Sequence, residues 1–489
     1  MNTSPQNTNQ LPRIIQGGMG IGVSNWRLAQ AVSRLGHLGV VSGTSLDNVL
    51  VRRLQQGDPG GHMMRAMQHF PKPDVAMRVA EAYYVPGGIP SSVRYKAAPM
   101  ARIELTEHHL NLLILANFVE VFLAREGHNG IVGVNLMEKI QIPTLAALYG
   151  AMLAKVDYVL MGAGIPNNIP GALDQLAAGE PVSLKVDVAG APSGSTYSVS
   201  FDPQKYWQGS APILKRPEFC PIVSSATLAL NLSRKANGRI TGFVIEGSTA
   251  GGHNAPPRGP MKLNDRGEPI YGPRDEPDLE RFRELGYPFW LAGSYGGPGA
   301  LERAQQQGAT GIQVGTPFAY CDESAVDPVI KRQVLEHVRI GKIEVHTDPL
   351  ASPTGFPFKV VAAEDTISLP EIYEARCRIC DIGLLRQAYL RPDGTIGYRC
   401  ASEPVDDYVR KGGTLEDTEG RVCICNGLFS TVGLGQVDSE GRIEPALITA
   451  GDSLSDLALF LQPDSLSYNA AHVVEILTSP LTALNCPRS

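Results

Sequence analysis

Charge is scarce in this chain of 489 residues: Asp, Glu, Lys and Arg make up only 19% of it, against about 25% in ordinary soluble domains. Neither sign dominates, because 43 Lys and Arg face 49 Asp and Glu for a net charge of −6. Such a mixed, mildly acidic surface argues against nucleic acid or an anionic membrane as the main partner. Long apolar runs are also missing. The most apolar stretch, Leu110 to Leu123, is broken by Asn111, Asn117 and Glu120 and falls short of the ~20 residues of a membrane span. The first ten residues, MNTSPQNTNQ, have neither the basic nor the apolar region of a secretory signal. The expectation is a soluble, cytoplasmic protein.

Several catalytic signatures are absent as well. Gly18-Met19-Gly20-Ile21-Gly22 starts like a dinucleotide fingerprint, but the third glycine it needs is Val23 or Asn25. There is no P-loop, no HExxH and no GxSxG elbow, so a hydrolase has little support. What the chain does have is 52 Gly and 37 Pro, which predicts many shaped loops on a compact frame.

Eight short apolar runs ending near glycine recur between residues 14 and 316. They start at Ile14, Gly39, Ile131, Tyr158, Cys220, Gly242, Phe289 and Gly311. Continuous apolar runs, rather than alternating ones, suit parallel strands buried on both faces. With helical patterns between most of them, eight such units predict an α/β (β/α)₈ TIM barrel over residues 12–320. After the first strand, Ser24 is a candidate N-cap and Gly36 a stop. After the seventh, Pro298 reads as a first helical residue and Gly308 as a close. Three segments exceed a minimal barrel: a helical insertion after strand two (about 45–130, its last helix near Glu104 to Glu126), a hairpin (about 182–202), and a C-terminal extension (321–489), a candidate lid.

A barrel's site is built at the C-terminal ends of its strands. Those ends read Gly17-Gly18-Met19, Ser42-Gly43-Thr44, Asn135, Gly162-Ala163-Gly164, Ser224-Ser225, Glu246-Gly247, Gly293-Ser294 and Gly315-Thr316. Small residues there let a flat ligand approach the backbone, and the ends of strands seven and eight match a barrel's usual phosphate position. Glycine also simply makes tight turns. His253, in Ala250-Gly251-Gly252-His253 after strand six, is the lone His among the strand-end glycines. It is the candidate acid or base, set on what reads as a flexible loop.

Ile14-Ile15-Gln16-Gly17-Gly18-Met19, Gly133-Val134-Asn135-Leu136, the AGGH loop and Gly315-Thr316 together resemble the nitronate monooxygenase (2-nitropropane dioxygenase-like) family. That superfamily is shared with FMN-dependent enoyl-ACP reductases, and the resemblance spans roughly residues 12–320. It implies FMN bound across the barrel mouth. Gly17, Gly18, Met19 and Asn135 would line the ring, with Gly251 and Gly252 beside them, and Gly293, Ser294, Gly315 and Thr316 would hold the phosphate. His253 would be the catalytic acid or base. Two departures stand out. Ser294 replaces a glycine, and Ser224 occupies the cofactor-contact position where the family commonly has Lys, with no other basic residue named by the sequence.

The implied activity is oxidation of alkyl nitronates or nitroalkanes by O₂ to a carbonyl compound and nitrite. The alternative is reduction of an enoyl thioester by NAD(P)H through the same flavin. A barrel that binds flavin or phosphate without turnover is the reading outside enzymes. A homo-oligomer is left open.

Five of the eight Cys lie at 377, 380, 400, 423 and 425. Cys377-x2-Cys380 is a metal half-site, but a lone Cys400 and Cys423-x-Cys425 are not its usual partner. Buried thiols, a structural metal and a redox pair all remain readings of that cluster. Before it, Ser352-Pro353-Thr354-Gly355-Phe356-Pro357-Phe358 is a stiff aromatic loop that would either cap the flavin, through Phe356, or make an ordinary turn.

Overall fold

The computed structural model describes residues 11–480. The N-terminal segment read as lacking a signal, and the end of the extension with Cys486, lie outside the described residues. Eight parallel strands make one ring: β1 (Ile14–Gln16), β2 (Gly39–Ser42), β3 (Val132–Met137), β4 (Tyr158–Gly162), β5 (Glu218–Val223), β6 (Phe243–Glu246), β7 (Phe289–Ala292) and β8 (Gly311–Val314). Sequential strands pair with one another from β2 round to β8, and β8 pairs with β1. A parallel bridge between Ile15 and Leu38, with Gln16 N–H donating to the Leu38 carbonyl at 2.9 Å, joins β1 to β2 and closes the barrel. This is the (β/α)₈ architecture.

Side chains that point inward fill the ring. Ile15, Val40, Leu160, Cys220, Val244 and Trp290 form a buried cluster, and the Trp290 indole N–H closes the lower end by donating to the Pro12 carbonyl at 2.6 Å. The outer strand faces pack on helices in a much larger core. Helix approach is close enough that a Cβ on Gly39 would sit 1.9 Å from the Ala29 carbonyl oxygen, so glycine is required there.

The first helix, Trp26–Arg34, is capped by Asn25, whose side chain accepts from Leu28 N–H at 2.9 Å. Ser24, the expected cap, is occupied elsewhere. Its hydroxyl accepts from Met19 N–H at 2.9 Å and donates to the Gly17 carbonyl at 2.8 Å, pinning the loop after β1. Gly36 does end the helix, at φ +83°. After β7 the helix is Ala300–Gln306, capped by Gly299, so Pro298 precedes it by two residues, while Gly308 closes it at φ +87°.

Between β2 and β3 lie four helices: Leu46–Gln55, His62–Gln68, Pro73–Tyr83 and Glu107–Arg125. The last is apolar on nearly every side and buried, as a helix covered all round must be. No helix among the described residues is long and apolar enough to cross a membrane. Strands Val182–Val186 and Tyr197–Phe201 pair antiparallel as a hairpin. Past the barrel, Glu344–Asp348 pairs antiparallel with Phe358–Ala362, and Gln387–Leu390 with Ile396–Arg399. Buried Arg52, on the first inserted helix, anchors this C-terminal region. It donates to Asp381 at 3.1 Å, Asn426 at 3.0 Å and the Leu434 carbonyl at 2.6 Å.

Candidate active site

A cavity of about 270 Å³ opens at the C-terminal ends of the barrel strands. The structure brings to its wall Gly17, Gly18 and Met19 after β1, Asn135 on β3, Gly251, Gly252 and His253 after β6, Gly293 and Ser294 after β7, and Gly315 and Thr316 after β8. Ser224 is not among its lining residues. It faces a neighbouring cavity of about 240 Å³, where its carbonyl accepts from Arg258 at 3.1 Å. The next residue, Ser225, caps the helix Ala226–Lys235, which turns the chain away from the mouth at that point.

The glycines after β1 answer to a close approach. A Cβ on Gly18 would lie 2.3 Å from the Asn135 Cβ. Asn135 in turn donates through Nδ2 to the Gly18 carbonyl at 3.0 Å, leaving its buried Oδ1 without a partner. Gln313 Oε1, on β8 in the same wall, is buried and unpartnered too. Two orphaned acceptors beside a glycine-lined slot suit a flat ring that carries N–H groups, because a buried acceptor left unpaired costs free energy.

The expected phosphate corner is differently furnished. Ser294 sits at φ +57° after Gly293 at +93°. Its hydroxyl accepts from Ser453 Oγ at 2.8 Å, and Thr316 Oγ1 accepts from Gly451 N–H at 2.9 Å. The turn at residues 451–453 therefore ties together the ends of β7 and β8. No Lys or Arg lines this cavity among the described residues, and its charged side chains are Glu246 and Asp456. An anion here would be held by hydroxyl and peptide N–H donors alone.

His253 is strapped down rather than free on a flexible loop. It pairs antiparallel with Phe358 in the extension through its neighbours: Lys359 N–H donates to the Gly252 carbonyl and Asn254 N–H to the Pro357 carbonyl, both at 2.9 Å. Its Nε2 lies 2.7 Å from Ser352 Oγ, and its ring stands 4.6 Å from the Phe358 ring. Burial pushes its pKa down to about 4, so the imidazole is neutral near pH 7 and has the protonation state of a base. The aromatic loop thus acts on the site through Ser352 and Phe358. Phe356 lines the neighbouring cavity instead, with Lys139 Nζ 5.3 Å from its ring.

Glu246, the last residue of β6, was not singled out from the sequence. It lines both cavities, and burial pushes its carboxyl up to about 7. The available signal was that it is the only charged side chain among the eight strand ends. Cys425 also reaches the main cavity, with its thiol held far above the ordinary range by burial. The seven described cysteines are free thiols. Among the described residues, no group of three or more His, Cys, Asp or Glu is arranged to hold a metal ion.

The fold and mouth define a (β/α)₈ barrel whose glycine rim is closed over by its C-terminal region. The sequence matches no family model and no curated relative. Among solved structures, it is similar to nitroalkane oxidase from Streptomyces ansochromogenes at 14% identity and TM-score 0.46, over 97% of this chain and 98% of that one. FabK from Thermotoga maritima aligns at 16% and 0.45, over 95% and 91%. The enoyl reductase domain of MlnA from the macrolactin biosynthesis cluster of Bacillus amyloliquefaciens aligns at 12% and 0.44, over 95% and 92%.

Proposed function

We propose that this protein is a flavin-dependent oxidoreductase, with FMN at the barrel mouth, that oxidises alkyl nitronates or nitroalkanes with O₂ to a carbonyl compound and nitrite. The observation that carries the reading is the neutral imidazole of His253, clamped by Ser352 and Phe358 at the wall of the glycine-lined cavity. Flavin bound there would supply electron acceptance from carbon and reaction with O₂.

The chain's own residues would do the rest. Asn135 Oδ1 and Gln313 Oε1 would accept ring N–H groups, and the hydroxyls of Ser294 and Thr316 would turn to the phosphate. His253 would take the α-proton of a neutral nitroalkane, a task that needs a free imidazole lone pair. A preformed nitronate has already lost that proton and would not depend on His253. The departure at Ser224, and a cavity lined by no Lys or Arg among the described residues, predict looser cofactor retention than a Lys-bearing site would give.

The enoyl-thioester reductase reading is favoured by one observation, a second cavity that adjoins the first. There the proton donor would be Glu246, whose carboxyl is held toward its protonated form, rather than His253.

Anaerobic addition of an alkyl nitronate and of NAD(P)H, in separate cuvettes, tests the choice. Flavin bleaching by nitronate alone is the expected result. Bleaching by NAD(P)H alone would transfer the proposal to the reductase, and a colourless protein that takes up no FMN would overturn both.

A further inference from the structure

Glu246 ends β6, and the alternation of that strand fixes where its side chain goes. Val244 belongs to the cluster that fills the barrel and Ile245 to the outer core, so Glu246 points inward again, one layer above Val244. In register beside it stands Ala292 of β7, and beyond that Gln313 of β8. A methyl group as neighbour leaves that side of the carboxyl open.

The main cavity and the neighbouring one of about 240 Å³ share Ala163, Ile222, Glu246 and His253 in their walls, so they meet at these four residues. The Glu246 carboxyl has no hydrogen-bond or ion-pair partner among the described residues, and burial alone moves its pKa. Its oxygens are not sealed in protein as the amide oxygens of Asn135 and Gln313 are, and the residue is half-buried. An unpaired acid aimed into a cavity that no Lys or Arg lines is disfavoured as an anion and open to a ligand.

No other group of the two walls duplicates it. His253 is held down to about 4 and Tyr271 up to about 12, and burial raises Tyr295, Tyr320 and Cys425 as well. Arg258 donates to the Ser224 carbonyl at 3.1 Å, and Asp275 accepts from the N–H groups of Arg258 and Gly272, both at 2.8 Å. Asp456 of the extension is exposed.

We infer that Glu246 selects the substrate by charge: as a neutral acid it donates a hydrogen bond to an oxygen of the nitro group, and as a carboxylate it turns anionic ligands away. When His253 takes the α-proton, the C–H electron pair becomes the C=N bond and negative charge passes to the nitro oxygens. A neutral acid beside them donates a hydrogen bond that strengthens as this charge grows. The inference rests on the proposed nitroalkane reading for that chemistry, and ligand binding is read without turnover. If nitronate fails to bleach the flavin while the binding result below holds, the oxidoreductase reading fails and charge selection stands.

The test is calorimetric binding of two isosteres, neutral 2-methyl-2-nitropropane and anionic pivalate, to the full-length protein with excess FMN at pH 6 and pH 8. Neither ligand has an α-hydrogen, so neither can be deprotonated there. Pivalate should bind about tenfold more weakly at pH 8, as a group titrating at about 7 loses its proton, while the nitro compound changes far less. In Glu246→Gln, which keeps a donor and cannot ionise, pivalate should bind equally at both pH values. Pivalate binding that does not fall with pH in the unaltered protein would overturn the inference, and so would a fall that persists in Glu246→Gln. An equal fall for both isosteres, or binding of neither, would overturn it too.

Discussion

The barrel's rim and the wall that the extension adds to it are made of different chemistry, though they enclose one space. The rim after β1, β7 and β8 offers glycine backbone, hydroxyls and orphaned amide oxygens, and carries almost no charge. The extension contributes Ser352 and Phe358 against His253, Cys425 in the cavity wall, and the Gly451–Ser453 turn across the ends of β7 and β8. The rim sets what can lie flat in the mouth. The wall removes water and thereby sets the protonation of the groups that would act on it. A minimal barrel with this rim would leave His253 on a solvated loop, where an imidazole near its ordinary 6.5 would be about a quarter protonated at pH 7 and half-protonated at pH 6.5.

The most severe way to break this division of labour is at the residue where the two halves meet. His253→Asn should lower turnover of a neutral nitroalkane by about 10²–10⁴-fold while flavin retention and nitronate turnover change far less. Steady-state rates with both substrate forms, beside the flavin spectrum, check this, and equal loss with both would count against a base role.

The next largest effect is expected at the anchor of the wall. Arg52→Met leaves the buried Asp381 carboxylate unpaired and should destabilise the fold by about 3–5 kcal/mol, measured by denaturant unfolding. Gly18→Ala attacks the rim itself. Its new Cβ would meet Asn135 at 2.3 Å, and relieving that overlap should cost about 1–3 kcal/mol and weaken flavin binding, readable by thermal unfolding and flavin titration. Ser352→Ala removes one hydrogen bond to His253, an expected change of about 1 kcal/mol in the activation barrier, seen as a several-fold fall in the rate of proton abstraction.

The smallest effects are in pH dependence, and they separate the two ionisable groups of the mouth. His253 has its pKa lowered from 6.5 to about 4 on folding. Its contribution to stability is therefore complete above pH 6.5 and lost as pH falls from there toward 4. Glu246 has its pKa raised from 4.5 to about 7. Its contribution is complete below pH 4.5 and lost as pH rises toward 7. Melting temperature followed against pH should lose the first dependence in His253→Asn and the second in Glu246→Gln. A rate profile for nitroalkane with an acid limb near 6.5 rather than near 4 would mean that the extension does not bury His253 in solution.

Much of the barrel was legible because its signals are local and repeated. A strand covered on both faces reads as an apolar run, and small residues at its end read as a turn. Where two neighbours have equal local merit, the pattern has no means of choosing. Ser24 and Asn25 are both good caps, and Asn25 takes the role because the Ser24 hydroxyl is engaged with the loop after β1. Ser224 ends a strand as its counterparts do, yet faces a different cavity. Glu246 was visible as the one charge on a neutral rim, but its raised pKa was not, since burial is a property of the packed surroundings.

By itself, then, the sequence determined the eight-strand barrel, the glycine rim, the hairpin, the inserted helices and the position of His253 after β6, because each depends on residues within one or two turns of chain. Only the tertiary structure decided that Ser352 and Phe358, about a hundred residues away, clamp and desolvate that histidine, and that no Lys or Arg among the described residues lines the cavity. Contacts across such separations follow from how the extension folds back over the mouth, and no local periodicity encodes them.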